Sequence, residues 1–300
     1  MSTVVLVSVL MAVVGVSTPI LIAALGELVV EKSGVLNLGV EGMMLIGAVT
    51  GFAVSFLTGS PWLGVAAAAL AATVAALLFG VLTLSLTSNQ VATGLALTIF
   101  GVSLSSLIGE AFVGLTVTPF GAVFPAALSQ DPYLRLVFGH SPIVYFSLAM
   151  TGAVWWFLAR SRGGLVLRAV GENDHSAHSI GYSVIGVRYA AVAFGGAMAG
   201  IAGTYYRLVL TPMWAQQLTA GRGWIALALV VFSVWRPGRL LAGAYLFGLV
   251  MTLELQSKAA GFSAVPPEFM AALPYLATVA VLALISMLPR PALQARDLKP

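Results

Sequence analysis

Residues 168–189 read RAVGENDHSAHSIGYSVIGVRY and gather Arg168, Glu172, Asp174, His175, His178 and Arg188 between two long apolar runs. Histidines at i and i+3 share a helix face and could hold a metal together, but no third ligand stands near them in sequence. The same stretch suits a short helix built for contact. Asn173 is a capping residue, Asp174 is favourable in the first turn, and Gly181 is a natural stop. That leaves about two turns, roughly 10 Å of helix. Ala177 and Ile180 fall on one side of it, small enough to seat in a groove of a partner. The alternative is an ordinary solvated loop helix.

A second set lies in GELVVEKSGVLNLGVEGMMLIGA, residues 26–48, where Asn37 and Glu41 share a face at i and i+4. Glu41 would stand about 10 Å along an apolar span. A carboxylate in lipid is costly, so it must face protein or water. Gly34, Gly39 and Gly42 permit a broken helix whose backbone lines a solute path. The pair could instead tie helices together, or Glu41 could relay protons. In TSNQVATGLALTIFGVSLSSLIGE, residues 87–110, Asn89, Gln90, Thr93 and Thr98 open a span and could meet a polar solute or bond a neighbouring helix. Arg222, in AGRGWIALA, sits where another span opens and could snorkel to the interface. No GxxxxGK[ST] phosphate loop, Ser/His/Asp set or zinc constellation occurs. With no cysteine there is also no thiolate metal site.

The elements that position these residues follow from composition. The chain has 300 residues, 60% hydrophobic and 8% charged, in apolar runs long enough to span a bilayer. Backbone in lipid must satisfy its own hydrogen bonds, so these runs read as helices of an all-α integral membrane protein. The net charge of +4 is scattered and makes no nucleic-acid stripe. About nine spans are expected, near 4–25, 34–57, 62–86, 91–109, 141–160, 188–210, 222–235, 239–257 and 269–289. Pro19 and Pro274 are tolerated kinks, Pro237 ends the seventh span, and GxxxG spacing at Gly196 and Gly200 permits close packing. The proline-rich segment 110–140 reads as a long loop with partial structure.

Lys32, Arg160, Arg162, Arg168, Arg188, Arg236, Arg239, Arg290, Arg296 and Lys299 fall on one side of these spans. Arg135, Arg207, Arg222 and Lys258 fall on the other. The positive-inside rule then places the amino terminus outside, the carboxyl terminus inside and the loop at about 161–188 in the cytoplasm. Four spans before span five and four after the polar loop have opposite orientations. SGVLNLG at 33 and AGRGWIA at 220 echo one another weakly, as expected of an inverted repeat.

EKSGVLNLGVEGMMLIGA, SNQVATGLAL, the 168–203 segment, GRGWIALALVVFSVWRP and ALPYLATVAVLALIS occur in matching order with one known family. Together they resemble the permeases of ABC importers for branched-chain amino acids, ribose and nucleosides, over about residues 14–289. SGVLNLGVEGMM is most similar to the nucleoside branch. The resemblance implies a type II importer fold in a bacterial cytoplasmic membrane, as a single transmembrane permease domain. Its implied partners are an ATP-binding subunit, a second homologous permease and an extracytoplasmic binding protein or lipoprotein. ATP and Mg would sit on the ATP-binding subunit, with no cofactor on this chain. GENDHSAHSIGY matches the family's coupling helix, so Arg168, Glu172, Asn173, Asp174, Ala177 and Gly181 are expected at the ATPase contact. Asp174 departs from relatives, which often carry proline there. Asn37, Glu41, Asn89, Gln90 and Arg222 are the expected path residues. The alternatives are the same machine carrying pentoses or branched-chain amino acids, or an ion-coupled secondary transporter.

Overall fold

The computed structural model describes residues 3–129, 131, 133–215, 221–259, 276 and 283. Apart from two isolated bridges, Val113 to Trp214 and Thr116 to Met213, its regular structure is helical. The helices are α1 (Thr3–Lys32), α2 (Val40–Thr58), α3 (Pro61–Gly80), α4 (Gln90–Gly109), α5 (Ala126–Ser129), α6 (Arg135–Phe138), α7 (Pro142–Arg160), α8 (Arg162–Glu172), α9 (Asp174–Ser179), α10 (Val184–Tyr205), α11 (Arg222–Phe232) and α12 (Pro237–Ala259). Helices α3 and α10 each run on into a π-helical turn, Val81–Ser85 and Tyr206–Leu210.

Among the described residues, seven helices are long and apolar enough to cross a membrane: α1, α2, α3, α4, α7, α10 and α12. The expected span at 222–235 is not one of them. Its helix, α11, has 11 residues, about 16 Å at 1.5 Å per residue and half of a hydrocarbon core. The expected ninth span at 269–289, with Pro274, lies outside the described residues except at Leu276 and Ala283, as do Arg290, Arg296 and Lys299. The first span runs to Lys32 rather than ending near 25, because Glu27 is buried against protein and does not need water. The second begins at Val40 rather than 34, since residues 34–39 are non-helical.

Helix α10 is the central post and touches α1, α2 and α3. Small residues set that closeness. A Cβ on Gly196 or Gly200 would enter the α3 backbone, and one on Gly203 would strike the Met44 carbonyl of α2. Without a strong hydrophobic force between helices in lipid, such close backbone contact supplies the packing energy. The two ends of the bundle differ. At one end Glu31, Lys32, Arg168, Glu172 and Trp235 line a polar pocket. Towards the other end Phe52 meets Phe112 edge-on and Trp214 at a tilt, with Phe52 and Trp214 buried.

Two chain segments enter the bundle without helix. Residues 33–39 turn back from the Lys32 end and run beside α1, so that Asn37 reaches Glu27. Residues 211–215 leave α10 beside 113–117, and Gly221 lies against Glu41. Helix α2 then runs away from the Lys32 end, towards Phe112. Helix α11 runs towards that end, reaching Trp235 beside Glu31. The N-termini of α2 and α11 therefore meet inside the bundle. Irregular backbone at such depth persists where protein or a cavity surrounds it.

Candidate functional site

The meeting point of α2 and α11 is built around Glu41, which is 5% exposed. Its Oε1 accepts the Gly221 N–H at 3.0 Å and its Oε2 accepts the Gly223 N–H at 2.6 Å. Helix α11 starts at Gly221, which has φ of 82° and no side chain to cap with. The orphan amides of that helix are satisfied by a carboxylate from another helix. Charge-assisted bonds of this kind are about twice as strong as neutral ones. Gly223 is required by closeness, since a Cβ there would lie 2.7 Å from Glu41 Cα and 2.8 Å from its Oε2. Glu41 stands in the first turn of α2, not about 10 Å along a span.

Asn37 and Glu41 do not share a helix face, because Asn37 lies on the non-helical stretch before α2. The two side chains take separate partners. The Asn37 backbone N–H donates to Glu27 Oε1 at 3.2 Å, its side-chain Nδ2–H donates to Glu27 Oε2 at 3.5 Å, and its Oδ1 accepts the Gly39 N–H at 3.0 Å. Gln90 holds the same stretch from α4, its Oε1 accepting the Leu36 N–H at 2.8 Å. Thr98 donates to the Leu38 carbonyl at 3.0 Å. Asn89 is exposed and caps α4 by accepting the Ala92 N–H. The guanidinium of Arg222 lies 4.6 Å from the Tyr206 ring centre rather than at an interface.

Three charges in the bundle, Glu27 and Arg207 buried and Glu31 half-buried, escaped the sequence reading. Glu27 is 1% exposed within α1. Glu31, one turn on, accepts the Trp235 indole N–H, and Lys32 lies 5.9 Å from the same ring. Both acids sit beyond residue 25, where hydropathy ended the first span. Arg207 is 1% exposed, donates to the carbonyls of Met213 and Ala215, and stacks 4.5 Å from the Trp214 ring. A fully buried arginine is not readable from a sequence that places it near a loop.

At the Lys32 end, α8 and α9 form a shelf. Ser161 caps α8 through the Gly164 N–H, and Asn173 caps α9 through the Ser176 N–H at 2.9 Å. Gly181, with φ of 91°, turns the chain into α10. Arg188 ties the shelf to the bundle. It pairs with Asp174 at 3.3 Å and donates Nε–H to the Ser33 carbonyl at 3.2 Å. Desolvation raises the Asp174 pKa, but the His175 amide and the Arg188 charge outweigh it and hold the carboxyl below its ordinary value. Arg168 is half-buried beside Glu31 and Lys32. Glu172, His175, His178, Ile180, Gly181 and Tyr182 are exposed.

Ala177 departs from the expected placing: it is 2% exposed, in a helix packed on α8 and α10 of its own chain. Its methyl group seats α9 on this protein and does not face outward beside Ile180. Among the described residues no third metal-binding side chain joins His175 and His178.

The family model described as the permease component of the branched-chain amino acid transport system matches residues 9–282. A Haloferax volcanii protein named as a putative glucose ABC transporter permease is 41% identical over 293 residues, covering 90% of this chain and 89% of that one. A guanosine ABC transporter permease of Bacillus subtilis is 30% identical, covering 89% and 88%. A nucleoside ABC transporter permease of Lactococcus lactis is 28% identical, covering 89% of each.

Proposed function

The chain belongs to the family of branched-chain amino acid transport system permease components, and on that premise we propose that it carries a neutral solute built on a sugar ring into the cell. It is a multi-pass membrane transport subunit, not an enzyme. Membership implies an ATP-binding subunit and a substrate-binding protein as partners, which displaces the ion-coupled alternative. A second, homologous permease completes the proposed importer, with ATP and Mg on the ATP-binding subunit. The shelf end of the bundle faces the cytoplasm and the amino terminus lies outside, in keeping with the positive-inside rule.

The observation that carries the solute reading is the shared chemistry of the relatives' names: glucose, guanosine and nucleoside all contain a sugar ring. The SGVLNLGVEGMM segment favours a nucleoside; the 41% identity to the glucose-named relative favours a free sugar as the second reading. The path runs past the junction of α2 and α11. Two half-buried helix starts meeting head to head are a recurring way to build a transporter site, and they suit the inverted repeat echoed at residues 33 and 220.

Coupling follows from the contacts of the shelf. Its exposed face, with His175, His178, Ile180 and Tyr182, docks on the ATP-binding subunit. Displacing α9 pulls on Asp174, and through Arg188 on the Ser33 carbonyl. That carbonyl opens the stretch that carries Asn37 and then Glu41. ATP binding elsewhere thereby biases the junction between closed and open states. The test is uptake by the reconstituted complex given labelled guanosine, uridine, glucose, ribose and leucine. Selective uptake of nucleosides or of glucose supports the reading, and selective uptake of leucine overturns it.

A further inference from the structure

A groove of about 570 Å³ lies between α7, α8 and α10, with Val29 of α1 also lining it. Its walls include Met150 and Phe157 of α7, Gly163 of α8, and Val187 and Phe194 of α10, and no lining residue is charged or carries a hydroxyl. It follows α7 from Phe157 to Met150, about 10 Å along a membrane-spanning helix. Ala153, Trp156 and Ala190 on its walls are exposed, so the groove opens on the side of the bundle. An apolar groove of this kind holds hydrocarbon rather than water. Trp155 and Trp156, about one turn before Arg160, are exposed where indoles favour the membrane–water boundary.

The mouth of the groove carries positive charge without a counter-ion. Arg160 ends α7 and Arg162 opens α8. Both are exposed, and neither has a hydrogen bond or ion pair among the described residues. Arg168 and Arg188 are already committed, to the Gly164 carbonyl and to Asp174. Along the chain no acidic residue lies between Asp131 and Glu172. The start of α8 adds to the same field. Ser161 accepts the Gly164 N–H, which leaves the Arg162 and Gly163 amides without partners among the described residues. Gly163 also lines the groove, so unpaired amides, two free arginines and apolar walls meet at one corner.

We propose that this corner binds a phospholipid with an anionic headgroup. One acyl chain lies in the groove, and the phosphate sits at the α7–α8 corner against Arg160, Arg162 and the first amides of α8. A tail alone fills the groove and leaves the arginines unanswered; a free phosphate does the reverse. The site belongs to the membrane fold and does not depend on which solute is carried.

Native mass spectrometry of the complete importer tests it, with phosphatidylglycerol and phosphatidylcholine of the same chain length added to wild type and variants. The wild type should hold phosphatidylglycerol about tenfold more tightly, as two basic residues near a headgroup provide. Arg160→Gln with Arg162→Gln should abolish that preference. Ala190→Phe fills the groove and should weaken the retention of both lipids. If Ala190→Phe does not assemble, Ala153→Phe fills the groove from α7, and the mass of the intact complex in the same spectrum reports assembly. Lipid sites on the partner subunits are common to all samples and drop out of the comparison. An unchanged preference in the double arginine variant overturns the proposal. So does unchanged lipid retention in the groove-filling variant, which would leave a bare anion site or a groove covered by protein in the assembly.

Discussion

Among the helix starts capped by side-chain oxygens, those of α9 and α11 are capped in opposite ways. Helix α9 takes its cap from Asn173, three residues from the amide it serves and open to solvent. Helix α11 takes its cap from Glu41, 180 and 182 residues away and buried. At an exposed helix start water replaces a lost cap, so a local neutral side chain is enough. Inside a membrane bundle no water stands by, and the cap is a charge delivered by another helix. The first kind of cap trims the stability of one loop. The second binds two halves of the molecule together, which makes it a suitable place for a gate.

The largest effect is expected from Gly223→Ala. The added methyl lies within 2.8 Å of the Glu41 backbone nitrogen, where neither backbone can yield, and the cap is lost with it. Overpacking costs about 1–3 kcal/mol, and the broken charged bonds add a similar amount. Uptake should vanish, with a large fall in the yield of assembled complex on size-exclusion chromatography. Near-normal uptake would show that α2 and α11 are not rigidly joined.

Trp235→Phe comes next. It keeps the ring beside Lys32 but removes the indole N–H from Glu31, whose Oε1 already has no hydrogen-bond partner. A cost of about 1–3 kcal/mol is expected, read as a lower melting temperature of the purified complex. An unchanged melting temperature would show that Glu31 is solvated in the assembly.

Asn173→Ala should cost about 1 kcal/mol of α9 stability. Assembly and melting temperature should hold, while solute-stimulated ATP hydrolysis falls a few-fold. A fall in membrane insertion instead would mean that the shelf supports the bundle.

The smallest effect is expected from Asp174→Asn. The pair with Arg188 is partly exposed, and such pairs contribute little. The sign follows from the lowered pKa of Asp174. Its contribution is present above the ordinary carboxylate value of about 3.9 and is lost as pH falls through the lower folded value. The melting temperature of the complex should be nearly unchanged at neutral pH, with a modest fall in solute-stimulated ATP hydrolysis as the pull on Arg188 weakens. Unchanged ATP hydrolysis would show that the movement of α9 reaches the bundle by another route.

Sequence alone determined the helical membrane class, most of the spans, the family and the local devices of the shelf formed by α8 and α9. Apolar run length reports on the bilayer, and caps such as Asn173 and stops such as Gly181 act within a few residues. What it misjudged were features whose partners lie far along the chain. Hydropathy ended α1 before Glu27 and counted 222–235 as a span, because a window cannot tell a charge facing lipid from one facing Asn37. Spacing put Asn37 and Glu41 on one helix face, although α2 starts only at Val40. Ala177 looked free to dock outward until α8 and α10 covered it. Only the tertiary structure decided that Glu41 closes the start of α11, because a buried carboxylate takes whichever donors the fold brings to it, and those of Gly221 and Gly223 arrive from the far half of the chain.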